Sequence, residues 1–171
     1  MEKLFLELRK KIQGDENFSE LNCFKGKTIS IAGTVQYLDF IPIIKKYLEK
    51  NNKILIKKGA FHQGHVIGCN PSAFDTRAEI LLLLTDGKFH AINNALLLDR
   101  EIYIYNLNKL EKICKQDLQK QKQRVKAKKV KFLSSQVVGL IVSTKQGQNF
   151  KGIKNLSKRI IKKFLFLKLT I

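Results

Sequence analysis

Residues 80–84 read Ile-Leu-Leu-Leu-Leu, and residues 85–88 continue as Thr-Asp-Gly-Lys. An apolar run of this length, ended by an Asp-Gly turn signal, is typical of a strand that is buried on both faces. Strands of that kind lie in parallel sheets, where crossover helices cover both faces. This stretch therefore predicts an α/β fold with a parallel sheet at its centre.

Strand-like and helix-like segments alternate on both sides of this run. Short runs rich in β-branched or apolar residues indicate strands, and apolar residues at helical spacing indicate the helices between them. Such alternation predicts a four-stranded parallel sheet with helices on both faces over residues 27–106. The predicted strands are residues 27–32, 53–57, 80–84 and 101–105, and the predicted helices are residues 40–50 and 90–98.

The pattern changes after residue 107. Residues 108–133 carry a thin apolar stripe in a background rich in Lys and Gln, which predicts a connecting helix. The strand-like runs 137–143 and 164–171 enclose a helical pattern and predict only a partial second α/β unit, too small to bury a core of its own. We therefore divide the chain into an N-terminal helical segment (1–26), an α/β domain (27–107), the connecting helix (108–133) and an incomplete unit (134–171).

Positive charge is concentrated in the second part of the 171-residue chain. Residues 1–107 hold 15 basic and 12 acidic residues, whereas residues 108–171 hold 18 basic and 2 acidic residues. A basic half suggests a polyanionic partner such as RNA. Lys outnumbers Arg 28 to 5, however, which AT-rich codon usage would also give. Because Arg is the better residue for bidentate phosphate recognition, we do not expect a nucleic-acid partner.

The chain carries neither a membrane span nor a secretory signal that we can identify. Its uncharged runs, 28–38 and 132–144, are shorter than the roughly 20 apolar residues that a spanning helix needs. Charged residues interrupt residues 1–12, which predicts an amphipathic helix there. The three cysteines are odd in number and far apart, so we expect a reducing, cytoplasmic environment without a disulfide framework.

The loops after the predicted strands carry the residues that are suited to chemistry. Ligands of open parallel sheets bind beyond the carboxyl ends of the strands. All three histidines (His62, His65 and His90) and one cysteine (Cys69) fall in these loops, which predicts a site at this edge. The loops are residues 33–37 (GTVQY), 59–70, 86–90 (DGKFH) and 143–148 (STKQGQ).

Cys69 lies in the sequence Gly-His-Val-Ile-Gly-Cys-Asn of residues 64–70. A cysteine beside a glycine at a loop end suits a metal thiolate or a nucleophile, whereas the alternative is a small buried apolar residue. Cys23 precedes the first strand and Cys114 lies on the apolar stripe, and for both we expect a core or surface position without a chemical role.

Five motifs in order carry a family resemblance over residues 25–150: GTVQY, GHVIGCN, TDGKFH, IYIYN and VSTKQGQ. This succession resembles the diphthamide synthase family, the 2-(3-amino-3-carboxypropyl)histidine synthases. The family pattern around the cysteine is usually G-Q-x-L-G-C. This chain has His65 where Gln is usual and Ile67 where Leu is usual, and it keeps Cys69.

The resemblance implies a radical 3-amino-3-carboxypropyl transferase. In that family three α/β domains of a dimeric enzyme each supply one cysteine to a 4Fe–4S cluster, whose open iron binds S-adenosyl-L-methionine. The transferred group modifies a histidine of elongation factor 2 in the first step of diphthamide biosynthesis. Cys69 matches the metal ligand of the middle domain. The positions implied to line the cofactor pocket are Thr34, Gln36, Gly87, Lys88, His90, Lys145 and Gln148.

The chain also departs from the family pattern. The resemblance covers neither the first domain of the family nor the cysteine region of its last domain, so we expect these residues to offer one ligand where three are needed. We therefore expect a truncated or split form that needs a dimer partner or another chain for the missing domains. Two alternatives stay open: a non-catalytic accessory subunit, and a basic RNA-binding α/β module that salt-dependent RNA binding would reveal.

Overall fold

The computed structural model describes residues 6–14, 17–143 and 163–169. The chain divides into two compact units, Met1–Lys122 and Gln123–Ile171. The first unit contains a five-stranded sheet in the order β2-β1-β3-β4-β5, in which the first four strands are parallel and β5 is antiparallel to β4. Its strands are β1 (Thr28–Gly33), β2 (Lys53–Leu55), β3 (Ile80–Leu84), β4 (Ile102–Tyr105) and β5 (Leu110–Ile113).

The central strand β3 is buried on both faces, as its sequence predicts. Leu82 and Leu84 belong to one hydrophobic cluster, and Leu81 and Leu83 belong to a second cluster. Consecutive side chains of a strand point to opposite faces, so the two clusters lie on the two sides of the sheet. The α/β fold with helices on both faces is therefore confirmed.

Helices cover both faces of the sheet. Helix α1 (Phe40–Leu48) places Phe40, Ile41, Ile44 and Leu48 in the first cluster. Helix α2 (Lys88–Leu98) contributes Ala91 and Ala95 to the second cluster. Leu118, near the start of helix α3 (Lys115–Ser134), joins this second cluster. Small alanine side chains let α2 approach the sheet closely.

The fifth strand was not predicted, and the helix expected from Asn108 begins at Lys115 instead. A tight turn between β4 and β5 explains the difference. Leu107 has a positive φ of 78°, and the side chain of Asn106 accepts hydrogen bonds from the backbone N–H groups of Asn108 and Lys109. The turn reverses the chain, so β5 covers the edge of β4 and buries Ile113.

The helix predicted for residues 1–12 is wrong for the described part of that segment. Residues 6–13 form no helix, and polar contacts hold them to the domain. Arg9 donates to Asp39 at 3.3 Å, and the backbone N–H of Lys10 donates to the carbonyl of Gln36 at 2.8 Å. These contacts replace the helical hydrogen bonds. Among the described residues before β1, Ser19–Phe24 form a short 3-10 helix that buries Leu21 and Phe24.

The second unit contains two parallel strands, β6 (Val137–Ser143) and β7 (Lys163–Leu169). Both strands were predicted, whereas the helix predicted between them lies outside the described residues. Within the described ranges, no helix combines the length and apolar character that crossing a membrane requires.

Candidate functional site

The topology of the first unit creates a crevice at the carboxyl ends of β1 and β3. From β1 the chain crosses to β2 on one side, and β3 lies on the other side of β1. Loops at such a switch point diverge to opposite faces, and the space between them is the usual ligand site of open α/β sheets. The loop after β1 and the residues after β3 are therefore the first place to look for a site.

The loop after β1 remains tied to the end of β3. The backbone N–H of Thr34 donates to the carbonyl of Leu84 at 3.0 Å, and Tyr37 N–H donates to the carbonyl of Thr34 at 2.9 Å. Thr34 is buried beneath this turn, whereas the side chain of Gln36 is exposed. Of these two predicted pocket residues, only Gln36 presents its side chain to solvent.

Tyr37 and Asp86 join the two loops across the crevice, and neither was singled out from the sequence. The Tyr37 hydroxyl donates to Oδ1 of Asp86, and Lys10 Nζ lies 3.2 Å from the same hydroxyl and 3.9 Å from Asp86 Oδ1. Burial and the neighbouring Asp86 carboxylate raise the pKa of Tyr37, so its hydroxyl stays protonated. Both residues lie in motifs quoted above, but only the strand order shows that they meet.

The long loop after β2 returns to the sheet beside the last residue of β1. Gly33 N–H donates to the carbonyl of Gly64 at 2.8 Å, and Val66 N–H donates to the carbonyl of Gly33 at 3.0 Å. Gly64 has a φ of +73°, and a Cβ there would lie 2.6 Å from Cδ1 of Ile41. Glycine is therefore needed for the return. The return carries Cys69 to the carboxyl edge of the sheet.

Cys69 is exposed in a turn that packs on α2. Asn70 N–H closes this turn by donating to the carbonyl of Ile67 at 3.1 Å. The same carbonyl accepts a hydrogen bond from Nδ2 of Asn94 in α2 at 3.1 Å. At Gly68, a Cβ would lie 2.9 Å from the ring of Phe89, also in α2. The cysteine therefore sits beside the helix that carries His90.

The histidines occupy different environments within this edge. His65 is buried, stacks on His62 with ring centroids 5.7 Å apart, and its Nδ1 has no hydrogen-bond partner among the described residues. His62 Nε2 lies 2.7 Å from Oε1 of Glu7. Burial lowers the pKa of His65, and the neighbouring His62 lowers it further. Burial also lowers the pKa of His90. Both His65 and His90 are therefore held neutral near neutral pH.

The remaining predicted pocket residues are placed less favourably for contact with a ligand. Gly87 is the N-cap of α2 and is exposed. Lys88 Nζ pairs with Glu111 of β5 at 2.9 Å, and Lys109 pairs with the same carboxylate at 2.9 Å. These two lysines lower the pKa of Glu111 to about 2. Lys88 is thus held by β5, while Lys145 and Gln148 lie outside the described residues.

The donor set of this edge fits a soft metal only in part. Cys69 offers one accessible sulfur, the ligand type that iron–sulfur clusters use. The sulfur of Cys23 lies 3.2 Å from the carbonyl oxygen of Glu20. The sulfur of Cys114 lies 3.2 Å from a carboxylate oxygen of Asp117. Within the described part of the chain, no three His, Cys, Asp or Glu side chains are grouped to hold a metal ion. Among the described residues of this edge, Cys69 is the one that offers a thiolate to a cluster.

A cavity lies at the opposite edge of the sheet, away from the histidines and Cys69. It has a volume of about 560 Å³ and is lined by Glu79, Asp99, Glu101 and Lys122 among other residues. Four of its charged residues are paired: Lys122 contacts Asp99 at 2.6 Å, and Glu79 and Glu101 pair with lysines at 2.9 and 2.8 Å. Arg100 donates to the backbone carbonyls of Thr76, Ala78 and Glu79. Most of the charged groups that line this cavity therefore already have protein partners.

Comparison with known proteins identifies the family of this chain. A family model described as "Putative diphthamide synthesis protein" matches residues 2–167. The 2-(3-amino-3-carboxypropyl)histidine synthase of Methanocaldococcus jannaschii is 30% identical over 137 residues, which are 78% of this chain and 35% of that protein. Subunit 1 of the synthase from Aspergillus fumigatus is 38% identical over 74 residues, or 42% of this chain and 17% of that protein.

Solved structures show the same fold. The crystal structure of Dph2 from Pyrococcus horikoshii with a 4Fe–4S cluster matches with a TM-score of 0.73 and 24% sequence identity. The match covers 91% of this chain and 48% of that chain. A second crystal structure of Dph2 from the same organism gives a TM-score of 0.72. The chain thus spans less than half the length of these relatives.

Proposed function

We propose, since this chain belongs to the diphthamide synthesis protein family, that it supplies one cysteine-bearing domain of a 3-amino-3-carboxypropyl transferase. The complete enzyme would act in the cytoplasm on a histidine of elongation factor 2, in the first step of diphthamide biosynthesis. These 171 residues would account for one cysteine-bearing domain, and a dimer partner or another polypeptide would supply the other cluster ligands.

One observation carries this proposal: the exposed thiol of Cys69 at the carboxyl edge of the sheet. A metal ligand must be accessible and deprotonated, and a loop position beside a glycine allows close approach of a large inorganic group. Cys23 is exposed as well, but it lies before β1, and its sulfur contacts the Glu20 carbonyl.

The residues of this chain would hold the cofactors in distinct ways. Cys69 would bind one iron of the 4Fe–4S cluster. When bound, the cluster supplies the electron that cleaves a carbon–sulfur bond of S-adenosyl-L-methionine. The exposed Gln36 side chain and the neutral His90 ring would contact S-adenosyl-L-methionine at the crevice. Thr34, Gly87 and Lys88 would shape the loops around it, and Lys145 and Gln148 stay predictions from the family motif.

Anaerobic reconstitution of a complex tests the proposal. The chain is combined with polypeptides carrying the other two cysteine domains, and cluster iron and transfer to elongation factor 2 are measured. We expect both to be lost in Cys69→Ala and retained in the matched control Cys23→Ala, because Cys23 lies before β1 and away from the carboxyl edge. Full cluster content and transfer in Cys69→Ala would contradict the proposal.

An accessory subunit is the second candidate, and the lone thiol favours it. Without a three-ligand group in the described ranges, the chain could dock the elongation factor while other chains hold the cluster. In that case Cys69→Ala would leave the iron content of the complex unchanged. Omission of the whole chain would then weaken binding of the elongation factor.

A further inference from the structure

We infer that Asn94 is a positioning residue that fixes the Cys69 turn on helix α2, an inference that rests on the proposed role of Cys69 as a ligand. Asn94 is fully buried near the middle of α2. It lies outside every motif that the sequence singled out. Its function would be to hold the sulfur of Cys69 at a fixed place relative to the helix that bears His90.

The amide of Asn94 links the turn to the helix through both of its hydrogens. Nδ2 donates to the carbonyl of Ile67, two residues before Cys69, at 3.1 Å. It also donates to the carbonyl of His90, one helical turn earlier, at 2.7 Å. The two acceptors belong to the two segments that must be held together. A single side chain thus joins the backbone of the cysteine turn to the backbone of the His90 turn.

The presence of an asparagine at this position is costly for stability. Its Oδ1 is buried and accepts no hydrogen bond in the described structure. Buried polar atoms without partners lower stability, and an apolar residue of similar size would avoid that loss. Neighbouring positions on the same helix face are Ala91 and Ala95, which are apolar and buried. The two hydrogen bonds that the amide donates are what an apolar residue at this position could not supply.

A second contact shows that the turn is docked and does not merely lie near α2. A Cβ at Gly68 would come within 2.9 Å of the Phe89 ring. A side chain at this position would have to displace the ring, so glycine lets the turn lie directly against α2. Contacts at Ile67 and Gly68 therefore secure the two residues that immediately precede Cys69. Loss of the Asn94 amide would release the first of these contacts.

Hydrogen exchange of the full chain tests this inference without a cluster. Asn94→Ala removes both hydrogen bonds, and Asn94→Leu removes them while keeping the volume of the side chain. We expect the Asn70 amide, which closes the turn on the Ile67 carbonyl, to exchange about tenfold faster in both variants. The amides of β1 and β3 should keep their wild-type rates. Asn93→Ala is the matched control and should leave the Asn70 rate unchanged.

A spin label on Cys69 gives a second measurement. In a Cys23→Ser/Cys114→Ser background, the label should become more mobile in Asn94→Leu and stay as in the parent in Asn93→Ala. Unchanged exchange and unchanged mobility in both Asn94 variants would overturn the inference. So would global unfolding of Asn94→Ala together with wild-type exchange in Asn94→Leu.

Cluster spectroscopy of the reconstituted complex separates this inference from the proposed function. Asn94→Leu should alter the electron paramagnetic resonance spectrum of the reduced cluster, and Asn93→Ala should not. A wild-type spectrum in Asn94→Leu would overturn the positioning role while leaving Cys69 as a ligand. Full cluster content in Cys69→Ala would instead overturn the proposed function.

Discussion

At the scale of single residues, the hydrogen bond between Tyr37 and Asp86 fastens the two loops of the crevice. Tyr37→Phe removes only the hydroxyl, so the buried ring keeps its packing. We expect a loss of about 1.5–3 kcal/mol in the free energy of unfolding, because the acceptor is a carboxylate. Tyr47→Phe is the control, since its hydroxyl donates to the neutral, exposed Asn22 side chain. Equal urea midpoints for the two variants would show that the hydrogen bond between Tyr37 and Asp86 stabilises the domain no more than the one between Tyr47 and Asn22.

Buried His65 makes the stability of the domain depend on pH. Its pKa is lowered from 6.5 by burial, which is the largest effect, and by the neighbouring His62, whereas Glu7 opposes the shift. The unfolded chain therefore binds the proton more readily than the folded one. We expect the free energy of unfolding to fall as pH falls below about 6.5. Measured by urea unfolding, the fall in the free energy of unfolding should be smaller in His65→Gln. The pH dependence that remains in this variant would come from His90, whose pKa is also lowered by burial. An unchanged slope in that variant would contradict this account.

At the scale of elements, the sequence could predict those whose side-chain pattern matches their burial. Strand β3 is apolar throughout because both of its faces are covered. Strand β5 was missed because Leu110 and Cys114 have helical spacing, while the turn before it depends on a positive φ at Leu107, which is no glycine. The segment 6–13 was misread because its charged residues, and not its leucines, contact the domain. Local patterns do not contain such tertiary contacts.

Helix α3 is the element that bears on nucleic-acid binding. Its lysines are exposed, including Lys126, Lys128 and Lys129. We predict a solvated helix without a specific nucleic-acid role. RNA binding is measured by fluorescence anisotropy over a range of salt concentrations. We expect the chain to bind RNA only weakly and non-specifically, so substitution of these three lysines by Glu should have little effect on the measured affinity. A submicromolar, salt-sensitive affinity that the reversal abolishes would favour the RNA-binding module instead.

At the scale of the whole molecule, we predict that the chain alone neither holds a stable 4Fe–4S cluster nor transfers the aminocarboxypropyl group. The family scheme requires three thiolates, and only Cys69 is exposed at the carboxyl edge, whereas Cys23 and Cys114 contact local oxygen atoms elsewhere. A homodimer would add a second Cys69 but not the ligands of the missing domains. A single thiolate would lose the cluster by exchange with other thiols in solution.

Anaerobic reconstitution of the isolated chain with iron and sulfide measures this directly. We expect gel filtration to remove the iron from the chain, and we expect no modified elongation factor 2 to form. Cys69→Ala should change the free energy of unfolding by less than about 0.5 kcal/mol, because the side chain is exposed in a turn. A loss of cluster iron in this variant could then be assigned to the missing thiol and not to unfolding. Retained cluster iron together with product from this chain alone would refute the split-enzyme interpretation. It would require further ligands within the 171 residues, beginning with Cys23 and Cys114.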